Sequence, residues 1–133
     1  MKLKLSMNVF DAALSRLQEI YEQGHTVVIS QSGGKDSTVC MAADAAGKLP
    51  INVIHRDEEI MFPNTYEYLD RVAARPEVNM HHVWAGQPVV NVFNRANPYW
   101  YIFDETIPRD EWVRQPPDYA YQIEEKNIQA LVT

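Results

Sequence analysis

A single cysteine, Cys40, stands in a chain of 133 residues. One thiol forms no internal disulfide and cannot hold an iron–sulfur cluster or a cysteine-based metal site. Basic residues are also scarce. Twelve Lys and Arg against 18 Asp and Glu leave a net charge of −6, so the chain has no general basic field and nucleic acid is not indicated as a partner. Any anion must be held by a local constellation. No run is long and apolar enough to span a bilayer, and Met1–Leu5 lacks a signal-peptide core, so no membrane association and a cytoplasmic location are expected. Glycine is sparse too, at five residues, which makes the adjacent pair Gly33-Gly34 informative.

That pair lies in Ser30-Gln31-Ser32-Gly33-Gly34-Lys35-Asp36-Ser37. The β-branched run Thr26–Ile29 leads into it, and a small-residue helical run, Thr38–Ala46, leads out. A strand that ends in two glycines, followed by a new helix, suits the holding of an anion. Backbone N–H groups approach closely where side chains are absent, and the helix directs its free N–H groups and positive dipole end to the same place. Ser32 and Ser37 add hydroxyl donors, and Lys35 adds a mobile charge. The spacing is neither G-x-x-x-x-G-K-[ST] nor G-x-G-x-x-G.

Around this unit the pattern reads as α/β. Asn8 caps a first helix with Asp11 three residues on, the helix ends at Gly24, and it is expected to cover the first strand. Thr26–Ser30 reads as a central parallel strand buried on both faces. Cys40, beside Val39 and Met41, reads as a small core residue. Lys48-Leu49-Pro50 is a turn, Ile51–His55 a second strand, and Pro63 the first residue of a helix that Pro76 terminates. Asp57-Glu58-Glu59 falls at the C-terminal end of the second strand, where open α/β sheets hold ligands. The cluster is either a solvated loop or a contact for adenosine or Mg²⁺. Val78–Ala85 reads as a third strand, with His81 and His82 facing opposite ways in structural or surface roles. Pro88 is expected to open a short helix through Val89, Val92, Phe93 and Ala96, and the run Tyr119–Val132, with Ile123, Ile128 and Leu131, reads as helical. Half of the chain's aromatic residues fall in residues 97–133, among four prolines. This third is expected to be a lid over a ligand or a surface for another subunit or protein.

The string Ser32–Ser37 resembles the PP-loop of the ATP pyrophosphatase (adenine nucleotide alpha-hydrolase-like) superfamily. Val53-Ile54-His55-Arg56-Asp57 followed by Phe62-Pro63-Asn64-Thr65-Tyr66 resembles the phosphoadenosine phosphosulfate (PAPS) reductase subgroup. The segments Tyr99–Asp104 and Glu111–Pro116 resemble short PAPS-reductase-like proteins of bacteria and phages. The resemblance covers about residues 8–117. It implies one nucleotide-binding domain over residues 1–133, with a Rossmann-like three-layer parallel sheet, complete or truncated, and helices on both faces. It implies ATP or PAPS as ligand, with Mg²⁺. Ser30, Ser32, Gly33, Gly34, Lys35, Asp36 and Ser37 would hold phosphates, Asp57 the nucleoside or metal, and Arg114 a second phosphate contact. Asp36 and Asp57 would be the metal ligands, and Lys35 and Asp36 the catalytic pair. The lack of any cysteine after Cys40 argues against PAPS reduction by this chain alone. Three functions follow: ATP cleavage at the α–β bond to adenylate an acceptor, sulfonucleotide binding with a partner that supplies the cysteine, and a non-enzymatic interaction module.

Overall fold

The computed structural model describes residues 6–47, 50–86 and 88–124. Helix α1 (Val9–Glu22) is capped by Asn8, whose side chain accepts the Asp11 N–H, and the chain leaves it through Gly24 at φ +82°. Strand β1 (Val28–Ser30), helix α2 (Lys35–Gly47), strand β2 (Ile51–Arg56), helix α3 (Pro63–Ala73) and strand β3 (Val78–Trp84) follow. Two β-α-β crossovers therefore run in succession. All three strands are parallel, in spatial order β1-β2-β3, so each crossover steps to the same side. Right-handed crossovers that step the same way lay their helices on one face. Accordingly Met41 of α2 and Val72 of α3 share one core cluster with Ile51 and Val53 of β2. On the other face of the sheet, Asn79 donates to Asn52 (3.0 Å). The chain is an α/β protein with a Rossmann-like parallel sheet.

Four expectations change. Strand β1 lies at one edge of the described sheet and is only half-buried; β2 is an inner strand, buried on the face of Ile51, Val53 and His55. Helix α1 packs on α2, not on β1; Tyr21 of α1 donates its hydroxyl to the buried Asp44 of α2. Cys40 is exposed, because α2 turns Met41, Ala43 and Asp44 inward instead. Pro88 opens strand β4 (Pro88–Val90), which pairs antiparallel with β5 (Tyr99–Tyr101). The residues there alternate: partners Val89 and Trp100 face a second core of Ile102, Phe103 and Trp112, while Val90, Tyr99 and Tyr101 face out. A proline is tolerated at the start of such an edge strand, where its missing N–H leaves no ladder bond unmade.

The end of the chain also differs from expectation. A short 3₁₀ turn (Arg109–Glu111) precedes strand β6 (Tyr121–Gln122), which pairs in parallel with the last two residues of β3, Val83 and Trp84. Tyr121–Gln122 is thus strand where a helix was expected. Residues 125–132 of that run, with Ile128 and Leu131, and the turn residues Lys48 and Leu49 lie outside the described residues.

Candidate functional site

The C-terminal ends of β1 and β2 carry the glycine loop and the acidic turn side by side. Gly33 takes φ +83°, a conformation that favours glycine. It also sits so tightly on α3 that an added Cβ would lie 2.6 Å from Thr65 Cγ2. Thr38 Oγ1 meets Tyr68 Oη at 2.8 Å, so the loop helix and α3 are joined a turn further along. A Cβ on Gly34 would meet only Ser32 Oγ, at 3.3 Å. The loop's mouth is therefore open at Gly34 and closed at Gly33.

Within the loop the donors are already ordered. Gly33 N–H donates to Gln31 Oε1 (2.9 Å), and the Ser37 hydroxyl donates to the same oxygen. Ser32 Oγ accepts from Gly34 N–H and lies 3.3 Å from Ser37 Oγ. Ser30 is exposed at the strand's end. Lys35 Nζ pairs with its neighbour Asp36 at 2.7 Å, with both side chains almost wholly exposed. The two charges proposed for chemistry thus stand at the helix N-terminus, free to reorient.

Asp57 and Arg114 come together instead of facing a ligand separately. Asp57 is fully buried. Its Oδ1 accepts the Glu59 N–H (2.8 Å), and its Oδ2 accepts from His82 Nε2 (2.6 Å) and from Arg114 Nη2. Burial acts to raise the Asp57 carboxyl, but these three donors outweigh it and hold the group below the usual carboxylate range. The Arg114 guanidinium also lies over the Tyr66 ring, 3.3 Å from its centroid. Its charge is fixed by salt bridge and ring together, and the side chain stays one-fifth exposed.

Three residues of this region were not singled out as site residues by the sequence reading. Glu59 has φ +61° and is buried, and its carboxylate accepts the backbone N–H groups of Phe103 (2.7 Å) and Val113 (2.9 Å). The Tyr66 hydroxyl donates to the Glu59 carbonyl (2.7 Å). One loop residue thus holds both limbs of the aromatic segment against the sheet edge. His82 and Gln31 are the other two. The His55 ring, at 4.8 Å between centroids from His82, donates from Nδ1 to the Gln31 carbonyl (2.8 Å). A buried line therefore runs Gln31–His55–His82–Asp57–Arg114, from the glycine loop to the tail. Burial keeps His55 below its ordinary pKa, so the ring is neutral. For His82 the signal was the adjacent pair His81-His82 on a strand, of which one must face inward. For Gln31 the only signal was an amide side chain directly before the loop.

Among the described residues, no group of three or more His, Cys, Asp or Glu converges on a point that could hold a metal ion. Mg²⁺ usually takes one or two carboxylates plus substrate phosphates. Asp36, exposed at the loop, suits that pattern; Asp57, with both oxygens engaged, does not. A cavity of about 660 Å³ lies elsewhere, between the end of α3 and residues 117–119. Its polar lining includes Asp70 and Asp118, and no residue of the glycine loop borders it, so its lining does not favour an anion.

A parallel sheet with a glycine-hinged donor loop at its C-terminal edge places this chain in the class of α/β proteins whose ligand crevice lies at that edge. Residues 26–123 match the phosphoadenosine phosphosulfate reductase domain, and the chain belongs to that family. It is 30% identical over 126 residues to the uncharacterized protein YbdN of Escherichia coli (strain K12). That match takes in 90% of this chain but 30% of YbdN, so the chain spans about a third of that relative's length. No solved structure matches the chain significantly.

Proposed function

We propose that this protein binds an adenine nucleotide on the loop Ser32–Ser37 and cleaves ATP between the α and β phosphates, passing AMP to an acceptor. The observation that carries the reading is the loop itself. Gly33, pressed on Thr65, turns the chain so that the N–H groups of Gly33 and Gly34 and the Ser32 and Ser37 hydroxyls crowd one small region at the N-terminus of α2. Such a cradle stabilises the charge that develops on a pyrophosphate leaving group. Lys35 supplies the mobile cation, and Asp36 holds Mg²⁺, which when bound supplies further charge neutralisation on the phosphates. Asp57 acts through Arg114: it fixes the guanidinium, and Arg114 presents its exposed part toward a phosphate of the ligand.

The family match favours a second reading, in which the ligand is PAPS and a partner protein supplies a reducing cysteine. The aromatic third then serves as the contact surface for that partner or for a second copy of the chain. One experiment separates the two. Calorimetric titration with ATP, PAPS and adenosine 3′,5′-bisphosphate, with Mg²⁺, is paired with product analysis after incubation with ATP. Release of AMP and pyrophosphate supports the first reading. Release of ADP, or no turnover together with a preference for the 3′-phosphorylated ligands, sinks it and favours the second. Lys35→Ala is expected to weaken nucleotide binding about tenfold, the usual scale for one charge-assisted phosphate contact.

A further inference from the structure

Gln31 occupies an unusual position for an amide side chain. It is 2% exposed, at the junction of β1 and the glycine loop. Its backbone is fixed from both sides by β2: its N–H donates to the Ile54 carbonyl (2.8 Å), and its carbonyl accepts from His55 Nδ1 (2.8 Å). Its side-chain oxygen accepts from Gly33 N–H and from the Ser37 hydroxyl, two of the donors that a phosphate on this loop would use. A carbonyl oxygen that takes two converging donors has the same hydrogen-bonding role as one non-bridging phosphate oxygen. The other end of the amide, Nε2, is buried and has no partner among the described groups. A buried donor of this kind costs free energy, so the amide's present seat is held by its oxygen alone.

The geometry points to Gln31 as a built-in competitor for the anion site: Oε1 and a phosphate oxygen contend for Gly33 N–H and Ser37 Oγ. Because the backbone is pinned, the exchange proceeds by rotation of the side chain and not by movement of the loop. The loop's donors are therefore kept ordered before ligand arrives, and every ligand must displace the same internal acceptor. A ligand with weak acceptors, such as a nucleoside or a neutral ester, gains nothing by that exchange. A terminal phosphate or pyrophosphate, with charged oxygens, does. Gln31 thus sets a threshold that selects for polyanionic ligands. This inference rests on the nucleotide reading above.

Gln31→Leu and Gln31→Met remove the acceptor at similar volume. Two measurements test the idea. The first needs no ligand: amide hydrogen exchange at Gly33 should accelerate in both variants, and unchanged exchange overturns the contact itself. The second is calorimetric titration of wild type and variants with inorganic pyrophosphate and with ATP. The variants should bind pyrophosphate about fivefold tighter, the scale of one net hydrogen bond recovered. Equal or weaker binding overturns the competition, and weaker binding would make the amide a ligand donor instead. If wild type and variants bind neither probe, the nucleotide reading fails and this inference with it. Circular dichroism and thermal melting confirm that a variant is folded, and either variant alone suffices.

Discussion

Gly33 and Glu59 are the two residues at the sheet edge whose backbone shapes the site, and both have positive φ. Gly33 carries two separate constraints, its φ of +83° and the Thr65 methyl 2.6 Å from a would-be Cβ. Gly33→Ala should therefore cost about 2 kcal/mol or more and abolish nucleotide binding. Adding Thr65→Ser removes the methyl and should recover the steric part alone, leaving about 1 kcal/mol of backbone strain; chemical denaturation of the single and double variants checks this. Glu59 is a buried carboxylate that holds two backbone N–H groups. Hydrogen bonds to charged groups contribute about 1.5–3 kcal/mol each. Glu59→Ala is expected to lower stability by about 3 kcal/mol and to red-shift tryptophan emission as the segment on either side of Trp112 loosens. A blue shift or unchanged stability would contradict that role. Gly33 was legible locally, as one of two adjacent glycines at a strand end, but Glu59 was not: it read as one member of an acidic loop, and only its contact with residues 44 and 54 positions away explains its burial.

The aromatic segment is best understood at the scale of elements. Strands β4 and β5 form a hairpin over the cluster of Ile102, Phe103 and Trp112, and β6 returns to the sheet beside β3. Besides Glu59, Arg114 ties this unit to the edge that carries the glycine loop, through Asp57 and Tyr66. Removing one partner of a buried ion pair leaves the other uncompensated, at about 3–5 kcal/mol. Since Arg114 is one-fifth exposed, the lower end applies. Arg114→Ala should thus destabilise the protein by about 3 kcal/mol and weaken nucleotide binding. Arg114→Lys, which keeps the charge but loses the planar fork, should restore only part of both. Urea titration alongside calorimetry reads the two effects. The helices around the loop were legible from the sequence because each carries its own signal, a cap, a proline at N1, or a glycine hinge. The hairpin was not, because three-residue strands offer too little alternation to outweigh a proline that also opens helices.

For the whole molecule the buried titratable groups dictate how stability depends on pH. Burial lowers His55, and to a lesser extent of enclosure His81, beneath the ordinary value of 6.5. The unfolded chain therefore binds these protons first, and stability falls as pH drops below about 6.5. Asp57 has the same sign in a lower window. Its carboxyl is held below 3.8, so its contribution is intact above that value and is lost as acid protonates the folded form. On the alkaline side burial and then the Asp70 hydrogen bond push Tyr119 up to about 12. Its contribution persists below about pH 10 and is lost as pH rises through 12. Thermal melts from pH 3 to pH 12 should show a plateau with two acid steps and an alkaline decline, and His55→Gln should flatten the first acid step. A single acid transition near pH 4 in the wild type would contradict the neutral-histidine assignment. No described helix is long and apolar enough to cross a membrane.

The sequence by itself determined the strand–loop–helix unit at Ser30–Ser37, the second strand with its proline-started helix, and hence the family. Those signals are short in range: backbone permissiveness at glycine, fixed φ at proline and hydrophobic period act over a few neighbouring residues. Only the tertiary structure decided that β1 lies at a sheet edge, that Asp57 faces Arg114 and His82, that Glu59 holds the tail, and that Gln31 sits inside the loop. Each depends on a partner 24 or more residues away, or on the direction in which a crossover steps. A linear pattern records which residues are polar, but the burial that makes a polar group seek one particular partner exists only once the chain has folded.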